Sequence, residues 1–367
     1  MSLTPIVAAD LIHRLGEFDA VIDARSEDEF ALDHLPGAVN WPTLNNAERI
    51  EIGTLYKQVN AFEARKRGAA IAARNIAAHI ELEVIDKPKD WKPVAYCWRG
   101  GQRSGALSLI LSQIGFRATL IEGGYKAFRA AMLQDIDRIV TTLQFSVVCG
   151  PTGSGKTRLL QALAGQGAQV LDLEALANHR SSVLGAIPGV PQPSQKRFDT
   201  LIWDALRQFD PAKPVFVESE SKKVGNLSVP TTLVEAMRQS PCLNLQLSDT
   251  ERVALLMEDY SHLVSDMTYF CDRLTVLVSL RGRAVVESWM ALARSGQLPQ
   301  VVQDLLTQHY DPAYLQSMQR NFVQFKDSKL IAPEDRSMRA MADLGTQILQ
   351  KIQVRGQKPG VLSGQTG

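Results

Sequence analysis

Phe145-Ser146-Val147-Val148-Cys149-Gly150-Pro151-Thr152-Gly153-Ser154-Gly155-Lys156-Thr157 reads as an apolar strand running into Gly-x-x-x-x-Gly-Lys-Thr. The amphipathic run Arg158-Leu159-Leu160-Gln161-Ala162-Leu163 follows it at once, so the order is strand, phosphate loop, helix. Gly150, Gly153 and Gly155 admit positive φ, which lets backbone N–H groups, Ser154 included, converge on an anion. The helix N-terminus adds its dipole. Lys156 brings a point charge to phosphates, and the Thr157 hydroxyl suits a magnesium ion. A glycine-rich turn is the plain alternative, but the strand before and the helix after favour the phosphate loop.

A phosphate loop needs an acid at the end of a neighbouring strand. Pro214-Val215-Phe216-Val217-Glu218-Ser219-Glu220 offers Glu218 first and Glu220 second, with Asp172 after Gln169-Val170-Leu171 as a weaker candidate. Each could instead be a helix-capping or surface carboxylate. The loop reads phosphates and not a base, and no Asn-Lys-x-Asp run selects guanine. The ligand is therefore a nucleotide or another diphosphate ester.

Upstream, apolar runs at Asp19–Asp23, Val94–Cys97 and Thr119–Glu122 alternate with helical stretches at Glu27–Leu32 and Gly105–Ile114. Strands alternating with helices predict a small parallel-sheet α/β domain. Residues 42–92 are long for one connection and hold an alanine-rich helical pattern with Arg65, Lys66, Arg67 and Arg74. A solvated helix face is the first reading of that basic patch, and a phosphate-backbone contact the second. Downstream of about residue 230 the pattern becomes mainly helical, at Thr250–Leu263, Ala284–Ser295 and Met338–Val354. The expected domains are 1–140 and 141–350, with a Gly- and Pro-rich, loose tail over 351–367.

Tyr96-Cys97-Trp98-Arg99-Gly100-Gly101-Gln102-Arg103-Ser104 sits between a strand and an apolar helix. Loop N–H groups, the helix N-terminus and Arg103 form an anion cradle that favours Cys97 as a thiolate. Such a thiolate attacks sulfur, selenium or phosphorus carrying an anionic leaving group. Cys149 belongs to a buried strand, and Cys242 and Cys271 read as core residues. Four cysteines with no CxxC pair exclude a disulfide scaffold and a multi-cysteine zinc module. The chain has 367 residues, 45% of them hydrophobic, enough for two cores. Forty Lys and Arg face 39 Asp and Glu, a net charge of +1, so no global field draws nucleic acid or a membrane, and any RNA contact must be local. The N-terminus lacks a signal-peptide pattern and no run is long enough to span a membrane, which makes a cytoplasmic enzyme the expectation.

Asp23-Ala24-Arg25-Ser26-Glu27-Asp28-Glu29-Phe30, His34–Asn40, the Cys97–Ser104 loop and Leu120-Ile121-Glu122-Gly123-Gly124-Tyr125-Lys126-Ala127 resemble the signatures of the rhodanese family. That family carries sulfur or selenium on the loop cysteine. One departure stands out: Cys97 and Arg103 are six positions apart, one more than the usual rhodanese loop and equal to the cysteine-phosphatase spacing. A wider loop should accept a larger anion, such as a phosphate-bearing donor. A rhodanese-like domain joined to a P-loop domain, with Ala177–Ser182, Pro191–Lys196 and Val217–Gly225, resembles the tRNA 2-selenouridine synthase family over essentially the whole chain.

The fold class expected is α/β, an N-terminal rhodanese-like parallel-sheet domain plus a C-terminal P-loop NTPase-like domain with a helical C-terminal part. The resemblance implies an exchange at carbon 2 of the wobble uridine of tRNA. The 2-thiouridine sulfur is first geranylated from geranyl diphosphate; selenium from selenophosphate then replaces the geranylthio group. It implies that Cys97 and Arg103 are catalytic, with Trp98, Arg99, Gly100, Gly101, Gln102 and Ser104 cradling selenophosphate. Gly150, Gly153, Ser154, Gly155, Lys156 and Thr157 grip diphosphate, with magnesium on Thr157 and Glu218. A selenophosphate-producing enzyme is an implied partner. The tRNA contacts expected are Arg65, Lys66, Arg67, Arg180, Lys222 and Lys223, with His179, Lys196, Arg197, Arg281 and Arg283 as further candidates. Trp98 is either a stacking partner for the base or a prop for its loop. Met257, Tyr260, Trp289 and Met290 read first as core, with a geranyl pocket as the alternative. Two rivals stay open: a cysteine-dependent phosphatase, against which Tyr96 stands in place of the usual histidine, and a sulfur-relay protein, each coupled to a nucleotide-binding domain.

Overall fold

The computed structural model describes residues 4–180, 185–187, 189–259 and 267–356. They form two compact units: 1–139 with 192–207, and 140–191 with 208–367.

In the first unit five parallel strands pair in the order β1 (Thr4–Ile6), β5 (Thr119–Ile121), β4 (Pro93–Tyr96), β2 (Ala20–Asp23), β3 (Ala38–Asn40). Val94, Ala95 and Tyr96 are all but fully buried, as expected of a central strand covered on both faces. Ile22, Trp41, Ile76, Trp91, Leu107, Leu111 and Phe116 fill one core layer. The helix Glu27–Leu32 begins at Ser26 with a capping box closed by Glu29. The long connection proves to be two helices, Asn46–Gln58 and Ala61–Glu83, whose starts are set by Asn45 and Asn60 accepting from the N–H groups of Glu48 and Glu63.

The segment 192–207 lies in the second domain by its position in the chain, yet it packs with the first unit. Its helix, Gln195–Leu206, turns a strongly amphipathic face inward: Phe198, Ile202, Trp203 and Leu206 are fully buried. Thr200 donates to Asp33 at 3.0 Å, Arg129 pairs with Asp199, and the Trp203 indole donates to Asp135 at 2.9 Å while its ring meets Phe128 edge-on. Amphipathic spacing identifies a helix but not which core its apolar face enters. Trp203→Phe keeps most of the packing and strands a buried Asp135 oxygen. It is expected to destabilise this unit by about 1–3 kcal/mol, read from the denaturant midpoint.

In the second unit five parallel strands pair as β12 (Lys329–Ile331), β11 (Cys242–Leu245), β6 (Gln144–Cys149), β8 (Pro214–Glu218), β7 (Gln169–Leu171). The chain passes from β6 to β7 and back to β8 on one side of β6 and later to β11 on the other, so the crevice at the carboxyl end of β6 is where an α/β sheet binds its ligand. Lys223–Val224 and Leu227–Ser228 form a separate two-stranded hairpin, β9 and β10. The helix Met338–Gly356 packs on Lys156–Gly165 through Leu159, Leu163, Met341, Leu344 and Ile348. It therefore occupies the start of the stretch expected to be a loose tail; 357–367, like Ser181, Ser182 and Tyr260, lie outside the described residues. Trp289, Met257 and Met290 belong to a helical core with Phe270, Leu274 and Val301, as their first reading held. No described helix is long and apolar enough to cross a membrane.

Candidate functional site

The phosphate loop turns out of central β6 and into the helix Lys156–Gly165. Gly153 has φ +77°, and a Cβ there would come within 3.1 Å of both the Arg252 carbonyl and the Leu256 side chain. Glycine is thus required twice over, by conformation and by close approach. The loop is clamped from outside. Buried Arg252 donates to the Thr152 carbonyl at 2.9 and 3.0 Å and to the Asp311 carboxylate at 2.6 and 3.0 Å. Tyr314, on the helix Asp311–Asn321, accepts from the Gly150 N–H at 2.6 Å. Lys156 Nζ donates back to the Gly150 carbonyl at 2.9 Å, and the buried Ser154 hydroxyl has no hydrogen-bond partner among the described residues.

Beside the loop stands an acid cluster. Glu218 ends β8 opposite Val148, and carboxylate oxygens of Glu174, Glu218 and Glu220 lie within 4.8 Å of one another. Thr157 Oγ1 is 3.5 Å from Glu174 Oε2. Glu218 is 1% exposed and its Oε1 has no hydrogen-bond partner among the described residues. Burial pushes its carboxyl well above the usual range; Glu174 and Glu220 push the same way, and Lys156 opposes them. Clustered, buried oxygens with one left unpaired fit a hard cation such as Mg²⁺. Asp172 serves otherwise: it caps the helix Leu173–Ala177 by accepting from the Ala175 N–H at 2.8 Å. Glu218→Gln replaces a carboxyl that burial and its acidic neighbours already disfavour in its charged form. Without metal it is expected to raise stability by about 1 kcal/mol, and the rise in Tm that Mg²⁺ gives the unaltered protein should vanish. Thermal melts with magnesium and with chelator check both.

A cavity of about 540 Å³ opens on this loop. Its lining is polar at Lys156, Thr157, Arg180, Glu218, Glu220 and Arg238 and apolar at Leu255, Leu256, Met318 and Phe322, with Tyr310 and Asn321 among the latter. Arg180 also donates to the Asp259 carbonyl at 2.9 Å.

In the first unit the cysteine loop bridges β4 and the helix Gln102–Ile114. Cys97 is 3% exposed and its Sγ accepts the Gly101 N–H at 3.2 Å. Gly123 to Lys126 hold the loop shut: the Tyr125 and Lys126 N–H groups donate to the carbonyls of Cys97 and Trp98 at 2.8 and 3.1 Å. A Cβ on Gly124 (φ +56°) would strike the Cys97 carbonyl at 2.2 Å and Gly100 N at 2.4 Å. Arg103 sits in the helix's first turn and donates to Glu29 at 2.7 Å, and Glu29 also pairs with Arg49 at 3.0 Å. Gln102 opens the helix, Arg99 is exposed, and buried Ser104 keeps a hydroxyl without a hydrogen-bond partner among the described residues.

Trp98 stacks on Tyr125 with ring centroids 5.4 Å apart, and Lys196 Nζ lies over Trp98 at 5.4 Å. The ring is thereby built into the packing, which favours the prop among the two readings of Trp98. Arg25, Glu29, Arg49, Trp98, Arg103 and Lys196 line a cavity of about 290 Å³ with an excess of positive charge.

The basic patch on Ala61–Glu83 is exposed and interleaved with acids. Lys66 pairs with Glu63 at 2.7 Å, Arg67 with Glu51 at 3.1 Å and Arg74 with Glu48 at 3.0 Å, while Arg65 donates to the Ala61 carbonyl. Lys222 and Lys223 are exposed at the start of the β9–β10 hairpin. Arg281 donates to His309 Nδ1 at 2.9 Å.

Glu174, Arg252, Tyr314 and Arg49 were not singled out by sequence. Glu174 had a signal, being two residues beyond Asp172 at a strand end; the others come from distant helices with no motif around them.

Residues 143–274 match the profile of the tRNA 2-selenouridine synthase AAA domain, and residues 7–131 match the rhodanese-like domain. The tRNA 2-selenouridine synthase of Nitrosomonas europaea is 37% identical over 65% of this chain and 63% of its own length, so the chain spans just under two thirds of that relative. That of Nitrosomonas eutropha is 36% identical over 70% of this chain and 67% of its own. That of a Sulfurovum species is 30% identical over 82% of this chain and 89% of its own. The chain belongs to the tRNA 2-selenouridine synthase family.

Proposed function

We propose that this chain converts 2-thiouridine at the wobble position of tRNA to 2-selenouridine in two stages. The observation that carries the reading is two anion cradles of different chemistry in one chain. One holds a cysteine sulfur against a loop N–H; the other is a phosphate loop opening on a cavity with an apolar wall.

In the first stage the thiouridine sulfur attacks C1 of geranyl diphosphate. A C–S bond forms, the C–O bond breaks, and diphosphate departs. Loop N–H groups and Lys156 bind that diphosphate and stabilise the charge it gathers. Thr157, Glu174, Glu218 and Glu220 are placed to hold Mg²⁺, which when bound neutralises part of that charge. In the second stage selenium from selenophosphate bonds to C2 and the geranylthio group leaves as the thiol. The Se–P bond of the resulting intermediate then breaks, its phosphoryl group passing to the Cys97 thiolate and from there to water, which releases phosphate. Alkylation makes this exchange feasible, because an alkylated sulfur leaves far more readily than a thiocarbonyl sulfur. Cys97 assists the Se–P cleavage in the rhodanese-like cradle: its thiolate forms the S–P bond as the Se–P bond breaks, and Arg103 with the loop amides holds the phosphoryl group in transit. The supplier of selenophosphate is a separate enzyme.

Incubating the protein with a 2-thiouridine anticodon stem-loop, geranyl diphosphate and selenophosphate should yield geranylated and then selenated uridine by nucleoside mass spectrometry. If neither product forms, the reading fails.

A further inference from the structure

The cavity on the phosphate loop is polar at one end and apolar along a wall, and the wall starts at the loop itself. Leu256 packs against Gly153 so closely that a Cβ there would lie 3.1 Å from its side chain. A ligand tail leaving the loop therefore meets hydrocarbon at once. The helix Asp311–Asn321 continues the wall and is tied to the loop at its own start, by Arg252 through Asp311 and by Tyr314 through the Gly150 N–H. Tyr314 and Met318 stand four residues apart on this helix and Phe322 caps its end, and all three line the cavity. Four residues advance a helix by about 6 Å, so one face presents successive side chains at regular steps away from the phosphates. Met318 is 1% and Phe322 5% exposed, which makes this a fixed wall and not a mobile surface. The preceding π-helical turn Leu306–Tyr310 widens the chain there and places Tyr310 on the same cavity.

We infer that Leu256, Tyr310, Met318 and Phe322 form the binding wall for the hydrocarbon tail of a prenyl diphosphate, and that Met318 and Phe322 set the tail length accepted. The inference rests on the prenyl donor proposed above and deepens it. The four residues are not those that sequence alone had offered for a geranyl pocket. A nucleoside would instead require base-directed hydrogen-bonding groups along this wall. The Asn321 amide N–H groups are already spent on the Ser317 carbonyl and hydroxyl at 2.9 and 3.2 Å, and His309 Nδ1 on Arg281, which leaves Arg238 as the polar group against which the ADP arm of the test is set.

The test is calorimetric titration of the full chain with inorganic diphosphate, geranyl diphosphate, farnesyl diphosphate and ADP, each with Mg²⁺. Geranyl diphosphate should bind about tenfold or more tighter than inorganic diphosphate, since the tail buries apolar surface. Met318→Trp should erase that advantage and leave inorganic diphosphate affinity intact, which also reports that the loop is folded. Phe322→Ala should shift preference toward farnesyl diphosphate by about tenfold. The inference is overturned if the tail adds no affinity, if ADP outbinds geranyl diphosphate, or if Met318→Trp leaves the tail's advantage unchanged. Tail-dependent binding without any geranylated uridine would overturn the proposed reaction and leave the wall standing. Geranylation with no response to either substitution would do the reverse.

Discussion

Lys156→Ala is expected to lower geranyl transfer to a 2-thiouridine stem-loop by about 100-fold or more, the scale on which a single group stabilising a leaving anion is felt. Selenation of a stem-loop supplied already geranylated should survive. Lys156 Nζ now donates to the Gly150 carbonyl at 2.9 Å, across the mouth of the loop. A diphosphate seated on the loop amides would take that bond over, and the ammonium would face the oxygen whose bond to carbon breaks. The carbonyl left behind remains part of a loop held from outside by Arg252 and Tyr314, so the substitution should leave the architecture in place. Lys156→Arg is not a conservative control, because a planar fork cannot stand in for a point charge in so narrow a turn. Measured over geranyl diphosphate concentration, the loss should fall mainly on kcat, since diphosphate gains its full charge only as the bond breaks. If Lys156→Ala instead abolishes selenation of the pre-geranylated RNA, the phosphate loop serves the second stage and the division of labour proposed here is wrong.

What was legible in the sequence follows from how local each feature is. Both loops were readable because their chemistry lies in consecutive residues between a strand and a helix: 150–157 after β6, and 97–104 after β4. Glu218 was readable because an apolar strand ending in an acid is a local pattern. Its partner Glu174 was harder, since only the parallel pairing of β7 with β8 brings the two strand ends together. Arg252 could not be found at all. It clamps Thr152 from a helix a hundred residues away, and nothing in Thr250-Glu251-Arg252-Val253 sets that arginine apart from a surface charge. The helix Gln195–Leu206 failed in a different way. The sequence reading did not single it out as a helix, and its place in the chain, between β7 and β8, put its residues in the 141–350 domain, whereas they pack with the first unit. Lys196 on that helix brings a cation to the cavity beside Trp98, so part of the first unit's anion-handling surface is encoded inside the second domain's sequence. The basic patch around Arg65 to Arg74 shows the limit of reading charge by composition. Glu48, Glu51 and Glu63 come back to Arg74, Arg67 and Lys66, and exposed pairs of this kind contribute little and are screened by salt.

Cys97→Ser is expected to leave geranylation intact and to cut formation of 2-selenouridine by about three orders of magnitude, so that tRNA with an uncleaved Se–P bond accumulates. The substitution is nearly isosteric, and the Gly101 N–H that now donates to Sγ at 3.2 Å can donate to a serine oxygen. The clamp by the Tyr125 and Lys126 N–H groups acts on backbone carbonyls and does not involve the side chain. Structure is therefore preserved while chemistry is not: a serine hydroxyl is far less readily ionised and far less polarisable, and does not take a phosphoryl group from selenium as a thiolate does. The other three cysteines, Cys149, Cys242 and Cys271, are buried in the second unit's strands and helical core and offer no substitute. Two measurements decide the matter together. Intact-protein mass spectrometry of reactions quenched during turnover should find one added phosphoryl group on the unaltered chain and none on Cys97→Ser. Nucleoside analysis should then find 2-selenouridine only with the cysteine present. An absent adduct together with full selenation by Cys97→Ser would remove Cys97 from the reaction. It would leave the loop amides and Arg103 as the whole of the cradle, with water cleaving the Se–P bond directly.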